Sequence, residues 1–351
     1  MTISIKLGKR KISDFTKPYL IAEIGVNHGG SVKLAKKMIL LAKKSGMDAA
    51  KFQTYKAEKL VIKNSPSYWD LNKEKTNSQY KLFKKYDVFE KKDYVHLKKF
   101  CKKIKIDFLT TPFDVESLKW IKNLVPAFKI ASADINNVPL LKEIGYLKKP
   151  VLLSTGASSI KEIKFAVNLL KKCGSKNIVI MHCILNYPTK YIDANLSMIN
   201  DLKRNFPKNL IGYSDHTSPS KIISPCAIAF QLGARVIEKH FTFNKKKNGN
   251  DHYHSADFND AFIMKKQIDK IYLLNGHNKK KVINCEKKSR LFARRSIVSN
   301  SDIKKNEIFN EKNLITKRPG TGISPLLWNK IIGKRSKRNI KADTQIQTKD
   351  F

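Results

Sequence analysis

Short apolar runs alternate with longer amphipathic stretches through most of the chain. The runs fall at residues 19–24, 48–53, 106–110, 127–131, 151–154, 178–182, 210–213 and 236–240. Rich in Ile, Val and Phe and bounded by polar residues, they predict buried strands. Most are separated by segments with helical spacing of apolar positions: 32–45 (Leu34, Met38, Leu41 and Ala42 on one face), 93–105, 115–124, 139–147, 159–173, 197–205 and 220–232. This alternation predicts βαβ units on a parallel sheet. Eight repeats in about 240 residues match a closed (β/α)8 TIM barrel. A doubly wound open sheet fits less well, because no dinucleotide-type glycine fingerprint follows the first run. Residues 3–12 read as a hairpin turning at Gly8-Lys9. Residues 55–92 form an unusually long connection holding Pro66, Ser67, Tyr68 and Trp69, which predicts a lid or binding loop.

A last helix is expected over 260–274, followed by a lysine-rich linker, and there the texture changes. Short runs at 295–298, 307–309, 314–316, 331–333 and 345–348 are separated by polar turns and punctuated by Gly320, Gly322 and Pro325. The α/β barrel is therefore expected over 1–285 and a small, mostly-β domain over 289–351.

Composition narrows the function. The 351 residues carry 70 Lys+Arg against 29 Asp+Glu, a formal charge of +41, yet 41% are hydrophobic, enough to fill a core and exclude a disordered chain. The lysines are spread in short runs along nearly the whole chain. A phosphate-tracking surface concentrates its charge and adds Arg and aromatics, so nucleic acid is not the expected main partner. Charge at this level steers anionic substrates. The five cysteines are scattered without a CxxC pair, which suggests neither a disulfide framework nor a thiolate zinc site. No apolar run reaches the ~18–20 residues of a spanning helix. The opening MTISIKLGKR lacks a signal-peptide block, so a cytoplasmic setting without a membrane partner is expected.

Barrels of this kind carry their chemistry at the C-terminal ends of the strands. All eight predicted strands finish in polar groups: Glu23 with Asn27-His28; Lys51 and Gln53; Thr110-Thr111; Lys129, Ser132 and Asp134; Ser154-Thr155; His182-Cys183 with Asn186 and Tyr187; Ser214-Asp215-His216; and Glu238, Lys239 and His240. Singly, a Ser or Thr there is an ordinary helix cap, and Ser154, Thr155, Ser158 and Ser159 can serve as caps. Jointly they predict an active-site ring, because burying lysine without an anion is expensive. Lys51 and Lys129, with hydroxyls from Thr111, Ser132, Ser154 and Ser214, suit a phosphate or carboxylate. His216 and His240 end adjacent strands and can share a divalent metal, or act as hydrogen-bonded supports. Glu23, Asp134 and Asp251 add carboxylates.

The segments IAEIGVNHGG (21–30), KFQT (51–54), TTPFD (110–114), FKIASAD (128–134), LLSTGAS (152–158), HCILNYPT (182–189), GYSDHT (212–217) and EKHFT (238–242) resemble the sialic acid synthase family. These are phosphoenolpyruvate-dependent synthases of N-acetylneuraminic acid and related nonulosonic acids. RRSIV (294–298), KRPGTGI (317–323) and IGKR (332–335) resemble its antifreeze-like SAF domain, a β-clip fold. The resemblance implies condensation of phosphoenolpyruvate with the open-chain aldehyde of an N-acylated hexosamine, by default N-acetylmannosamine, with release of phosphate. It implies phosphoenolpyruvate contacts from Lys51, Thr111, Lys129, Ser132, Ser154 and Ser214, and a Mn2+ or Mg2+ ion on His216 and His240. Gln53, Asp134, Tyr187 and Asp251 would face the sugar, and Glu23 or Asp134 would move protons. Arg318 would enter the sugar site of a partner, making a domain-swapped homodimer.

The chain also departs from the family. Asp134 stands where these synthases commonly carry glutamate, and Leu185 stands where some carry a phosphoenolpyruvate-contacting asparagine, with Asn186 next to it. In NGNDHYHSAD (248–257), His252 and His254 are expected on the loop surface. The departures leave a 6-deoxy 2,4-diacetamido acceptor, as for legionaminic or pseudaminic acid, open beside N-acetylmannosamine. A non-catalytic basic barrel binding nucleic acid or an acidic polymer is the reading of another class. A barrel using a phosphorylated aldose is disfavoured by the SAF-like tail.

Overall fold

A computed structural model describes residues 3–247, 249 and 251–351. Strands β1 (Ser4–Leu7) and β2 (Arg10–Ser13) pair antiparallel around Gly8-Lys9. Eight strands follow: β3 (Tyr19–Gly25), β4 (Ala49–Thr54), β5 (Asp107–Pro112), β6 (Phe128–Ile130), β7 (Val151–Ser154), β8 (Ile178–Cys183), β9 (Leu210–Asp215) and β10 (Val236–His240). They form one parallel sheet in the order β5-β4-β3-β10-β9-β8-β7-β6, a nearly closed TIM-type barrel with helices on its outside.

Period-two alternation sorts each strand's side chains between two cores. Leu20, Ala22, Phe52, Phe108, Ile180 and Ile237 pack outward among the helices. Tyr19, Ile21, Leu109, Leu152, Met181 and Val236 pack inward, and the hairpin closes this inner core with Ile5, Leu7 and Ile12. Farther along the same inward rows stand Glu23, Lys51, Thr111, Lys129, Ser154, Ser214 and Glu238, all buried. The barrel interior is thus apolar at one end and polar at the other, the end where the strands finish. The outward rows explain three polar strand ends that do not join the ring. His182 bonds the Ala194 carbonyl (2.9 Å), and Lys239 pairs with Asp215 (2.9 Å).

The chain divides into two compact units, Met1–Gly276 and His277–Phe351. In the second unit β11 (Ser296–Ser299) and β12 (Leu314–Lys317) pair antiparallel over a core of Ile297, Ile303, Phe309, Leu314, Ile340 and Ile346. Of the other expected runs, 307–309 and 345–348 make only the single bridges Ile308↔Arg335 and Val298↔Gln345, and 331–333 falls at the end of the helix Trp328–Ile331. No helix among the described residues is long and apolar enough to cross a membrane.

Candidate active site

One cavity opens at the polar end of the barrel, about 150 Å³ in volume. Its lining includes Glu23, Lys51, Gln53, Thr111, Lys129, Ser132, Ser154, Tyr187, Ser214, His216, His240 and Asp251. Residues drawn from strands β3 to β10 and their following loops therefore meet at one place. The connection over 55–92 supplies Tyr55, Tyr68, Trp69, Leu82, Phe83 and Tyr86, a largely aromatic wall.

At the floor lies a buried charge cluster. Lys51 Nζ is 2.7 Å from Glu23 Oε2 and 3.6 Å from Glu238 Oε2, while Lys129 Nζ is 3.2 Å from Glu238 Oε1. Lys51 also donates to Thr111 (2.9 Å), Gln53 to Glu23 (3.1 Å) and Ser214 to Glu238 (3.1 Å). Burial opposes the charge on Lys51, but Glu23 and Glu238 outweigh it and raise its pKa. Burial also pushes both carboxyls up. For Glu238 the two lysines reverse this and hold it down at about 2; Glu23, next to Lys51 but also facing Glu238, stays raised. Two neighbouring carboxyls offset in opposite directions are the usual mark of divided acid–base roles. Glu238 links both lysines; the sequence places it in the ring of strand ends but gives it no role there. Its signal was present, a carboxylate two residues before His240 on the same inward row.

The glycines around this floor are sterically required. Gly25 leaves β3 at φ +53°, and a Cβ there would sit 3.2 Å from the Gln53 amide. Gly156 donates its N–H to Ser132 Oγ (2.9 Å), and its Cβ would lie 2.9 Å from that oxygen and 3.0 Å from the Leu185 nitrogen. The hydroxyls separate by role. Ser159 caps the helix Ile160–Lys172 in a capping box with Glu162. Thr155 bonds the Met181 carbonyl (2.9 Å). Ser154 Oγ is buried without a partner among the described residues, as a hydroxyl awaiting a ligand would be.

Beside the floor, His216 Nδ1 donates to the Ile184 carbonyl (2.7 Å), which leaves Nε2 as the lone-pair nitrogen. The His216 and His240 rings are 5.3 Å apart, with the Tyr187 ring tilted against His216 at 4.1 Å. His240 Nδ1 lies 3.5 Å from Asp251 Oδ2 and has no hydrogen-bond partner among the described residues. His240, Asp251 and His254 offer ligand atoms within 4.8 Å of one another. Buried, unpartnered imidazole nitrogens beside a carboxylate suit a divalent cation, so the residues present fit one.

Two expected positions differ. His252 and His254 are buried, not on a loop surface: His252 Nδ1 bonds Thr242 Oγ1 (2.7 Å), and His254 is fully covered. The bridge Phe241↔Ala256 folds the segment back against the exit of β10. Asp134 is not part of the cavity lining, although Ser132 and Ala133 are. Asn137 donates to its carboxyl (3.2 Å), and burial pushes that carboxyl up to about 6. The folded chain therefore holds this proton more tightly than the unfolded chain, where the pKa is about 3.9. Its stability contribution is complete below about pH 4 and is lost as the pH rises through 6. Asp134→Asn should abolish that slope: from pH 4 to 7.5 the variant's unfolding free energy, relative to the parent, should rise by roughly 2 kcal/mol in urea titrations. Arg318 lies in the C-terminal unit, exposed just after β12.

The fold and this mouth define a barrel synthase with a C-terminal SAF domain. The NeuB family model matches residues 38–280 and the SAF domain model residues 294–351. The chain belongs to the NeuB family, the sialic and related nonulosonic acid synthases. It is 41% identical over 337 residues to the N,N'-diacetyllegionaminic acid synthase of Campylobacter jejuni, covering 94% of this chain and 99% of that protein. The enzyme of the same name from Legionella pneumophila is 36% identical over 335 residues, 93% of each chain. The crystal structure of an N-acetylneuraminic acid synthetase from Leptospira borgpetersenii, in complex with citrate, superposes with a TM-score of 0.73 at 36% identity, covering 82% of this chain and 95% of that one.

Proposed function

We propose that the chain condenses phosphoenolpyruvate with the open-chain aldehyde of an N-acylated hexosamine, giving a nine-carbon 2-keto acid and phosphate. The observation that carries this reading is the meeting of two buried lysines, four hydroxyls and the histidine–aspartate group at one barrel mouth. C3 of phosphoenolpyruvate is itself the nucleophile, so no side chain needs to attack. C3 bonds to the aldehyde carbon, water adds at C2, and cleavage of the C2–O bond releases phosphate. Phosphoenolpyruvate, aldehyde and one water account for every atom of the two products.

Lys51, Lys129, Thr111, Ser132, Ser154 and Ser214 hold the phosphate and carboxylate by charge-assisted hydrogen bonds. Glu238 stays ionised and fixes both lysines. Glu23, the carboxyl pushed up by burial, handles the proton of the attacking water, a role assigned to it in preference to Asp134. Gln53, Tyr187 and Asp251 orient the sugar. A divalent cation, manganese or magnesium, on His216 and His240 would polarise the aldehyde oxygen. The remaining contribution is positioning inside a site closed over by the aromatic wall.

For the acceptor, a 6-deoxy 2,4-diacetamido hexose is favoured over N-acetylmannosamine. Tyr55, Tyr68, Trp69 and Phe83 offer a methyl group an apolar surface where a 6-hydroxyl would lose water. The two legionaminic acid synthases among the relatives support the same choice. Phosphate release from phosphoenolpyruvate and manganese, screened against both sugars with product masses recorded, tests it. A higher kcat/KM for the diacetamido sugar is expected. Turnover of N-acetylmannosamine alone would reverse the choice, and no release with any hexosamine would overturn the reaction.

Arg318 is proposed to reach the sugar site of a second copy, its planar fork of donors orienting the N-acyl group. Arg318→Ala should raise the acceptor KM by about tenfold or more and leave the phosphoenolpyruvate KM near its parent value. Mixing Arg318→Ala with His240→Ala should restore about a quarter of the activity after subunit exchange, since one site per mixed dimer is then intact. Absence of recovery would place Arg318 in its own chain's site.

A further inference from the structure

We infer that His254 joins His216 and His240 as a third imidazole ligand of the divalent cation, with Asp251, which orients the sugar, as the carboxylate ligand. The inference rests on the reading of a metal at His216 and His240 and extends it. Three observations carry it. His254 is fully buried, and neither ring nitrogen has a hydrogen-bond partner among the described residues. A side chain present only to fill this space, between the rings of Tyr253 (5.0 Å) and Tyr187 (5.6 Å), would be better apolar. His254 Nε2 is 3.9 Å from Asp251 Oδ1, and its ring is 4.9 Å from that of His240. One carboxylate thus turns an oxygen toward each imidazole, and a cation between them would draw all three groups together.

The neighbouring histidine shows the contrast. His252 spends its Nδ1 on Thr242, which ties down the loop. Asn27 donates to Ser255 (3.2 Å), and Ser255 in turn bonds the Asp251 carbonyl, so the segment carrying the ligands is held at both ends without using His254. The loop is built, and its central imidazole is left unspent.

The donor set also selects the ion. Magnesium takes oxygen ligands and keeps its waters, whereas imidazole suits the first-row transition ions, of which Mn2+ binds it least tightly but accepts it more readily than Mg2+ does. A site with three imidazoles and one carboxylate should therefore hold Mn2+ well ahead of Mg2+.

Mn2+ binding by the purified full chain without substrates, measured by calorimetry and pulsed electron paramagnetic resonance, tests this. His254→Phe keeps an aromatic ring in this place and removes the nitrogens. It should weaken Mn2+ by at least about tenfold, leave weak Mg2+ binding nearly unchanged and remove one imidazole nitrogen coupling from the spectrum. Equal Mn2+ affinity and an identical spectrum in the variant would overturn the assignment while leaving the two-histidine site standing. No Mn2+ binding by the parent would overturn both. If the variant does not fold, the nitrogen count of the parent decides: three bound imidazoles support the inference and two refute it.

Discussion

Alanine at His216 or at His240 is expected to lower phosphate release from phosphoenolpyruvate by about 10³-fold or more, with the fold retained. Both rings stand at the rim of the barrel mouth, past the apolar core that holds the strands together. Removing either one costs little packing, so near-ultraviolet circular dichroism should be unchanged. His216 is oriented by its bond to the Ile184 carbonyl, so even a glutamine there would lack the fixed lone pair that Nε2 presents. Steady-state phosphate release at saturating manganese reads the effect. Turnover within about tenfold of the parent in both variants would remove the histidines from the chemistry.

The second large effect separates the two lysines. Lys51 is the partner of Glu23 and a shared partner of Glu238, whereas Lys129 faces Glu238, which also has Lys51. Lys51→Met leaves the buried Glu23 without its cation and should cost about 3–5 kcal/mol of stability, the usual penalty of breaking one side of a buried pair. Lys129→Met strands no carboxylate and should cost clearly less. Both should lower kcat/KM for phosphoenolpyruvate by about 10³-fold, since each removes one charge-assisted anchor. Adding Glu23→Gln to Lys51→Met should recover most of the stability and none of the activity, a coupling readable from urea midpoints beside phosphate assays. Equal stability losses in the two single variants would contradict the asymmetric cluster.

Much of this was legible in the residue pattern, and the reasons are local. Alternation of apolar runs and amphipathic stretches specifies βαβ units, and period two within each run specifies which side chains share a face. Lys51 and Lys129 were readable as part of the site because each interrupts an apolar strand. Depth within the barrel was not readable, because it depends on register between strands. Glu23 and Lys51 are direct register partners of β3 and β4, the last pair before the pairing shifts between Glu23 and Gly25. The role of Glu238 was not readable, because only the register Glu238↔Ser214 shows how close it comes to its neighbours. His254 was misplaced because a polar segment without periodicity looks solvent-exposed, while its burial is set by a bridge made beyond it at Ala256. In the C-terminal unit the runs were visible, but whether a run ladders or makes one bridge is not encoded in its periodicity.

The account depends on phosphoenolpyruvate and a divalent cation sharing one barrel mouth. Crystals soaked with phosphoenolpyruvate and manganese test it most directly, with the metal located by anomalous scattering. The prediction is a manganese peak within bonding distance of His216 and His240, and a phosphate on Lys51, Lys129 and Ser154. Manganese or phosphate bound at any other place, with the mouth holding only solvent, would contradict it.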